Sequence, residues 1–355
     1  MSRPRAVFAG SGTAVPPICV DNHRLARILD TNDQWIQERS GIVTRHYVEK
    51  GTGSADLGAE AARAALEDAG IEPGEVDYLV CATMTPDHYF PGTGPLIQER
   101  LGIDALPALD IRQQCAGFAY GLQLVDSLIG SGAARTVLLV GTDVHTSLMP
   151  FTDHTWQVLL DGGEVTEEEY EWNSQFRHLV VLFGDGAGAM VFRAEEGDGE
   201  RGILGCRLYS DGNHKDILYV PGGGSASRPF ITERMVQEAG TVPVMDGRQV
   251  FKLAVQRMPE VTAQVLSEHG YGVEDLDLLI MHQANLRINE AARKVLDLPE
   301  ERVHNNIQKY GNTTSATLPL AFHEARQEGK AKDGSLVALT ALGAGLNWGA
   351  VLLRL

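Results

Sequence analysis

No stretch of this 355-residue chain approaches the roughly 18–20 consecutive apolar residues that a membrane-spanning helix requires. Residues 1–10 contain arginines but no apolar core of a secretory leader, and Ala6–Ala9 predicts a first strand instead. Cysteine is scarce. Cys19, Cys81, Cys115 and Cys206 are scattered, with no C-x-x-C spacing and no histidine cluster nearby, which argues against a disulfide framework or a zinc site and suits a reducing compartment. Positive charge is also short: 30 Lys and Arg face 47 Asp and Glu, a net charge of −17. A general nucleic-acid binder needs a basic footprint, so that class is excluded, whereas an acidic partner held by a local basic patch is not. At 43% hydrophobic and 22% charged residues the chain is an ordinary soluble globular protein, long enough for two domains.

The stretch Asp110-Ile-Arg-Gln-Gln-Cys115-Ala-Gly-Phe-Ala-Tyr-Gly121 organises the rest. Leu106–Ile111 predicts a buried strand, and Phe118, Leu122, Val125 and Ile129 repeat at helical spacing. Cys115 therefore stands where a strand turns into a helix. Unpaired N–H groups and the helix dipole favour a thiolate there, so the thiol pKa is expected to fall. The small Ala116 and Gly117 let a thioester approach. A buried structural cysteine is the competing reading.

Elsewhere the pattern alternates. Strands are predicted at 77–83, 136–142, 179–192, 203–210, 277–282, 303–307, 335–342 and 348–355, and helices at 54–70, 246–269, 285–297 and 315–328. Both halves repeat this order with similar spacing, although no residue-level repeat is visible, and a boundary is expected at 195–202. Trp35 and Arg39 share a helix face and could stack on a nucleotide-like group. The loop 84–95 exposes Tyr89 and Phe90. Segment 161–174 is acidic, lacks core periodicity and is expected to be a surface excursion, with Tyr170 and Trp172 able to shape a pocket.

His282 ends an apolar strand, Asn312 lies in a turn before a helix, and Gly343-Ala-Gly345 is a tight loop whose N–H groups can face a ligand oxygen. With Cys115, four elements end in reactive or polar groups. Here the chain resembles the beta-ketoacyl-acyl-carrier-protein synthase III family of the thiolase fold. The resemblance runs nearly end to end: Asp30-Thr31…Trp35…Arg39-Ser-Gly-Ile, Cys115-Ala-Gly-Phe, Phe183-Gly-Asp-Gly-Ala-Gly, Ser210-Asp-Gly, Val250-Phe-Lys, His282-Gln-Ala-Asn-Leu-Arg, Gly311-Asn-Thr and Gly345-Leu-Asn-Trp-Gly.

The resemblance implies an α/β, thiolase-like fold of two similar halves in αβαβα layers. The halves are 1–198, with Cys115 and the 161–174 insertion, and 199–355, with His282 and Asn312. It implies a decarboxylative Claisen condensation of an acyl-CoA with malonyl-acyl carrier protein that initiates fatty acid biosynthesis. Cys115 would be the nucleophile, His282 and Asn312 the enolate donors, and the N–H groups of Cys115 and Ala344 the oxyanion hole. Thr31, Trp35, Arg39, Arg177, Phe251, Ala284 and Asn285 match CoA-tunnel positions. Lys252, Arg287, Arg293 and Lys294 would meet an acidic carrier protein, and Phe90 would cap the acyl pocket across a homodimer interface. No metal or cofactor beyond the CoA thioester substrate, and no nucleic acid or membrane, is implied; a cytoplasmic location is expected.

Two departures bear on the starter. Gln113-Gln114 replaces small residues before the nucleophile, and the 161–174 segment is longer than in short-chain starter enzymes, so a medium-chain or otherwise unusual acyl-CoA is expected. Arg248 stands where the family has Asn. A secondary-metabolism ketosynthase, an acyl-CoA condensing or acyltransfer enzyme of the same fold, and a non-catalytic partner subunit remain open as alternatives. A plain thiolase would need a second cysteine near the C-terminus, and the last here is Cys206.

Overall fold

Two five-stranded sheets carry the chain, and a computed structural model describes residues 3–197 and 199–355 of it. The expected boundary residue, Asp198, lies outside the described residues. In the first sheet the strands stand in the order Arg5–Ala14, Gly186–Glu195, Thr136–Asp143, Tyr78–Ala82, Ala108–Ile111. In the second the order is Gly202–Ser210, Asn347–Arg354, Leu336–Gly343, Leu278–Met281, Val303–His304. Numbered along each half, these are the same order. The directions agree as well: the first two pairings are antiparallel and the last two parallel in both sheets.

Side-chain alternation builds the layers. Val80, Val137 and Leu139 from one sheet and Ile280, Val337 and Leu339 from the other point inward onto two helices, Gly117–Gly130 and Thr317–Gln327, through Phe118, Leu122, Leu318 and Phe322. Leu79, Leu138 and Val140 point outward beneath the helix Ser54–Ala69, and Leu279, Ala338 and Leu352 beneath Gly247–Glu268. The result is helix, sheet, helix, sheet, helix. Ser54–Ala69 is rich in alanine because it lies directly on the first strand: a Cβ at Gly12 would stand 2.3 Å from the Ala65 nitrogen.

The two halves also repeat a turn. Gln114-Cys115-Ala116 and Thr314-Ser315-Ala316 are single 3-10 turns leading into the two central helices, and Gln114 and Thr314 have φ of 47° and 52°. Left-handed backbone at a non-glycine residue is uncommon. This is a repeat that the side chains conceal.

Several expectations need correction. Ala108–Ile111 is a half-buried edge strand with Leu109 exposed, not a buried one, because it has a partner on one side only. Residues 177–180 are helical, and the strand expected from Leu179 starts at Gly186. The 161–174 segment lies at the surface as expected, and it carries a helix. Helices Asp153–Asp161 and Glu167–Gln175 frame it, the second started by a Thr166–Glu169 capping box. Its single buried residue, Asn173, donates to the Ile28 carbonyl at 3.0 Å. Trp172 Nε1 also donates to the Pro150 carbonyl at 2.8 Å, and such single polar contacts leave no apolar stripe to read.

Candidate active site

Cys115 lies just beyond the carboxyl end of Ala108–Ile111, and His282 directly follows Leu278–Met281. Asn312 is fixed by backbone pairing: its N–H donates to the Leu182 carbonyl at 2.8 Å, and its carbonyl accepts from Gly184 N–H at 3.1 Å. Gly184 allows this approach, since a Cβ there would stand 2.4 Å from the Tyr310 carbonyl. Next to it, Asp185 accepts from the Thr146 hydroxyl at 2.7 Å and from Val48 N–H at 3.0 Å, which ties the Phe183-Gly-Asp-Gly turn to the loops that follow strands Thr44–Tyr47 and Thr136–Asp143.

These turns bring Cys115, His282 and Asn312 to one cavity of about 110 Å³, with Phe183, Met245, Phe251, Ala284, Asn285 and Gly343 among its walls. Burial pushes the Cys115 thiol up to about 12, with the Asp143 carboxylate adding to it. The expected fall in its pKa is therefore reversed, because the loss of solvation outweighs the helix dipole. Burial likewise pushes His282 down to about 3. Its Nδ1 is 2.7 Å from the Thr317 hydroxyl, which also lies 2.9 Å from the Thr314 carbonyl. That hydroxyl donates its one proton to the Thr314 carbonyl, so Nδ1–H donates to it in turn; the ring's proton stands on Nε2 when the hydroxyl turns to donate to Nδ1. Asn312 spends its Oδ1 on Thr314 N–H at 2.9 Å, leaving its Nδ2 as a donor.

A second cluster lies around Trp35. The Arg177 guanidinium is 4.6 Å from the indole centre and Arg39 is 5.7 Å from it. Arg177 Nη1 also donates to the Asp30 carbonyl at 2.7 Å and its carboxylate at 3.1 Å. Thr31, next in sequence to Asp30, has a buried hydroxyl without a partner among the described residues. Asn285 links the clusters: it lines the catalytic cavity and donates to the Arg39 carbonyl at 2.9 Å. Arg287 lies over the cavity wall Phe251 at 5.7 Å, and Lys252 and Lys294 are exposed. Arg293 is turned away, bound to Glu290 at 2.9 Å and the Leu298 carbonyl at 2.7 Å. Phe90 is 80% exposed and does not line its own chain's cavity.

Gln113, Gln114 and the inserted helices do not line the catalytic cavity either. Trp156, Gln157 and Leu160 border a separate cleft of about 680 Å³, and Trp172 another of about 700 Å³. Among the described residues, His304, Glu324 and Glu328 are grouped closely enough for a metal ion, but Glu324 already pairs with Lys309, and Glu328 with Lys330 at 2.8 Å.

Sequence reasoning missed Asp143. This buried carboxylate ends its strand and accepts from Met84 N–H at 2.8 Å, Thr85 N–H at 3.1 Å, Ser315 N–H at 2.9 Å and the Ser315 hydroxyl at 2.5 Å, as well as from the Thr314 hydroxyl. The one available signal was an acid closing an otherwise apolar strand. It also missed the role of Gly343, where a Cβ would stand 2.9 Å from the nitrogens of both Cys115 and Ala116.

Comparison with known proteins finds relatives over the whole chain. Residues 266–355 match the family 3-oxoacyl-[acyl-carrier-protein (ACP)] synthase III C terminal, and residues 109–166 and 151–212 match 3-oxoacyl-[acyl-carrier-protein (ACP)] synthase III. The chain is 41% identical to the beta-ketoacyl-[acyl-carrier-protein] synthase III of Rhodospirillum centenum over 352 residues, covering 99% of each. The crystal structure of 3-oxoacyl-(acyl carrier protein) synthase III from Pseudomonas aeruginosa superposes with a TM-score of 0.83 at 39% identity, covering 99% of this chain and 98% of that one. The priming beta-ketosynthase of the R1128 polyketide pathway gives a TM-score of 0.83 at 30% identity, covering 99% and 97%.

Proposed function

The chain belongs to the 3-oxoacyl-[acyl-carrier-protein] synthase III family, and from that premise we propose how its residues carry out the reaction. It is an acyltransferase that condenses an acyl-CoA starter with malonyl-acyl carrier protein in the first step of fatty acid synthesis. The observation that carries the assignment of roles is the single cavity shared by Cys115, His282 and Asn312.

Cys115 Sγ attacks the thioester carbonyl. The carbon–sulfur bond to CoA breaks, CoA leaves as its thiol, and an acyl-enzyme remains. Backbone N–H groups of Cys115 and Ala344 hold the tetrahedral oxyanion. Malonyl-acyl carrier protein then enters and its carboxylate leaves as carbon dioxide. The electron pair moves onto the thioester as an enolate, whose oxygen accepts from His282 Nε2 and Asn312 Nδ2. The enolate carbon attacks the acyl group, Cys115 leaves, and the beta-ketoacyl product departs on its carrier. This sequence uses no metal and no redox cofactor.

The CoA adenine stacks on Trp35, with Arg177 as the outer jaw and Thr31 and Arg39 beside it, and the pantetheine runs past Phe251, Ala284 and Asn285. Lys252, Arg287 and Lys294 offer the charge that an acidic carrier protein needs. Arg293, held by Glu290, is left out of that patch. The working form is a homodimer in which the exposed Phe90 of one subunit caps its partner's acyl site. Residues 1–198 and 199–355 are the two thiolase-like halves. Four free cysteines suit a cytoplasmic enzyme.

The starter is short. A cavity of about 150 Å³ holds a benzene ring, and this one measures about 110 Å³. The two departures that favoured a medium-chain starter do not line it. Intact-mass measurement after mixing with acyl-CoAs of two to twelve carbons is expected to show an adduct on Cys115 for two to four carbons, discharged by malonyl-acyl carrier protein. An adduct elsewhere, or none, would overturn the mechanism, and preference for eight carbons or more would overturn the short starter.

A further inference from the structure

We infer that Asn347 is a positioning residue for the oxyanion site. The inference rests on the reading of Ala344 N–H as an oxyanion donor and names what holds that donor in place. Asn347 lies at the start of the last strand and is 8% exposed. Its Nδ2 donates to the Ala344 carbonyl at 2.6 Å and reaches the Gln114 Oε1 at 3.4 Å. Its Oδ1 accepts from the Ser210 hydroxyl at 2.8 Å. The amide orientation is chemically consistent, with the nitrogen facing two carbonyl oxygens and the oxygen facing a hydroxyl.

One side chain therefore touches the residue before the nucleophile and the residue that supplies the second donor. The Asn347 backbone pairs with Gly343 across the hairpin. Ala344 is thus held on both sides, through its neighbour Gly343 and through its own carbonyl, with its N–H in between. Further along the loop, Leu346 is anchored in the core of the second half. Gly345 has φ of 137°, and a Cβ on it would stand 2.3 Å from Asn347 Nδ2, so the amide occupies the side that glycine leaves open.

The Ser210-Asp211-Gly212 motif, which the mechanism leaves unused, supplies the outer support. Asp211 and Leu346 exchange backbone hydrogen bonds at 2.8 and 2.9 Å, while Ser210 orients the amide. Preorganised donors stabilise an oxyanion only if they are aimed before charge develops. Loss of the Asn347 amide would remove the hold on the Ala344 carbonyl and let that one peptide turn its N–H away, while Gly343 and Leu346 stay fixed.

The test compares two reactions of Cys115 in the full-length enzyme. Acylation by acetyl-CoA passes through an oxyanion, whereas alkylation by iodoacetamide does not. Asn347→Ala is expected to slow acylation about tenfold or more, with alkylation within about twofold of wild type and the KM for acetyl-CoA unchanged. Ser210→Ala, which keeps the amide and loosens it, is expected to slow acylation less and in the same direction, and it carries the test should Asn347→Ala fail to fold. Equal losses in both reactions would mean general distortion and would overturn the inference, as would unchanged acylation. A wild-type enzyme that takes no acyl group on Cys115 would instead overturn the proposed mechanism.

Discussion

Cys115 and His282 are both held neutral, the thiol pushed up to about 12 and the imidazole down to about 3 by burial. The resting pair at neutral pH is thiol and imidazole, not thiolate and imidazolium. For His282 this suits hydrogen-bond donation to an enolate, since a ring that resists protonation keeps one proton and presents it on one nitrogen. For Cys115 it means that the proton must leave as the thioester binds. The two half-reactions should then separate by mutation. His282→Ala and Asn312→Ala are each expected to lower malonyl decarboxylation and condensation by about 100-fold or more, while acyl transfer from acyl-CoA to Cys115 survives in both. Carbon dioxide release and the acyl-enzyme mass measure the two separately. Loss of the acyl-enzyme in both variants would contradict the division of roles.

Elements are locked together by Asp143, the end of one strand gripping the loop after another and the elbow of the opposite half. A buried carboxylate is tolerated only with its oxygens satisfied, and here the donors come from segments far apart in sequence. Asp143→Ala removes the shared acceptor and strands those donors. We expect it to cost about 3–5 kcal/mol, read as a lowered urea midpoint, with a surface variant such as Glu167→Ala unchanged within about 0.5 kcal/mol. The same contrast explains what the sequence disclosed. Strands and central helices were legible because apolar periodicity records burial, whereas Cys115, His282 and Asn312 were singled out by the family motifs around them, Cys-Ala-Gly-Phe, His-Gln-Ala-Asn and Gly-Asn-Thr. The Asp143 contacts were not, because a carboxylate does not announce its donors. The helix Glu167–Gln175 was not, because Asn173, Trp172 and Ser174 dock through hydrogen bonds and its other positions are mostly acidic. The cysteine's pKa was misjudged for a similar reason: the dipole is local and visible, whereas burial is set by the whole assembly.

At the scale of the molecule, buried histidines make folding sensitive to acid. Burial pushes His145, stacked on Phe183 at 3.6 Å with neither ring nitrogen bonded, down to about 3. Between the ordinary value of 6.5 and 3, the unfolded chain takes up a proton at His145 and at His282 that the folded chain refuses. Stability therefore falls as pH drops, by about 1.4 kcal/mol per pH unit for each. Asp185, pushed up from 3.8 to about 6 by burial, opposes this, because the folded chain binds its proton first as pH falls through that range. His145→Leu is expected to make the slope shallower by about 1.4 kcal/mol per pH unit between about pH 6 and 4.5, measured by urea unfolding; parallel slopes would refute it. The matching strand order of the two sheets has a last consequence. Ser315 stands in the second half where Cys115 stands in the first, and Asp143 ends the strand that corresponds to the one ended by Gly343. Around Ser315 the N–H group already grips an anion, the Asp143 carboxylate, at 2.9 Å. Around Cys115 the matching strand ends without a side chain. The chain carries, in one half, a permanently filled replica of the guest that the other half receives only for the instant of reaction.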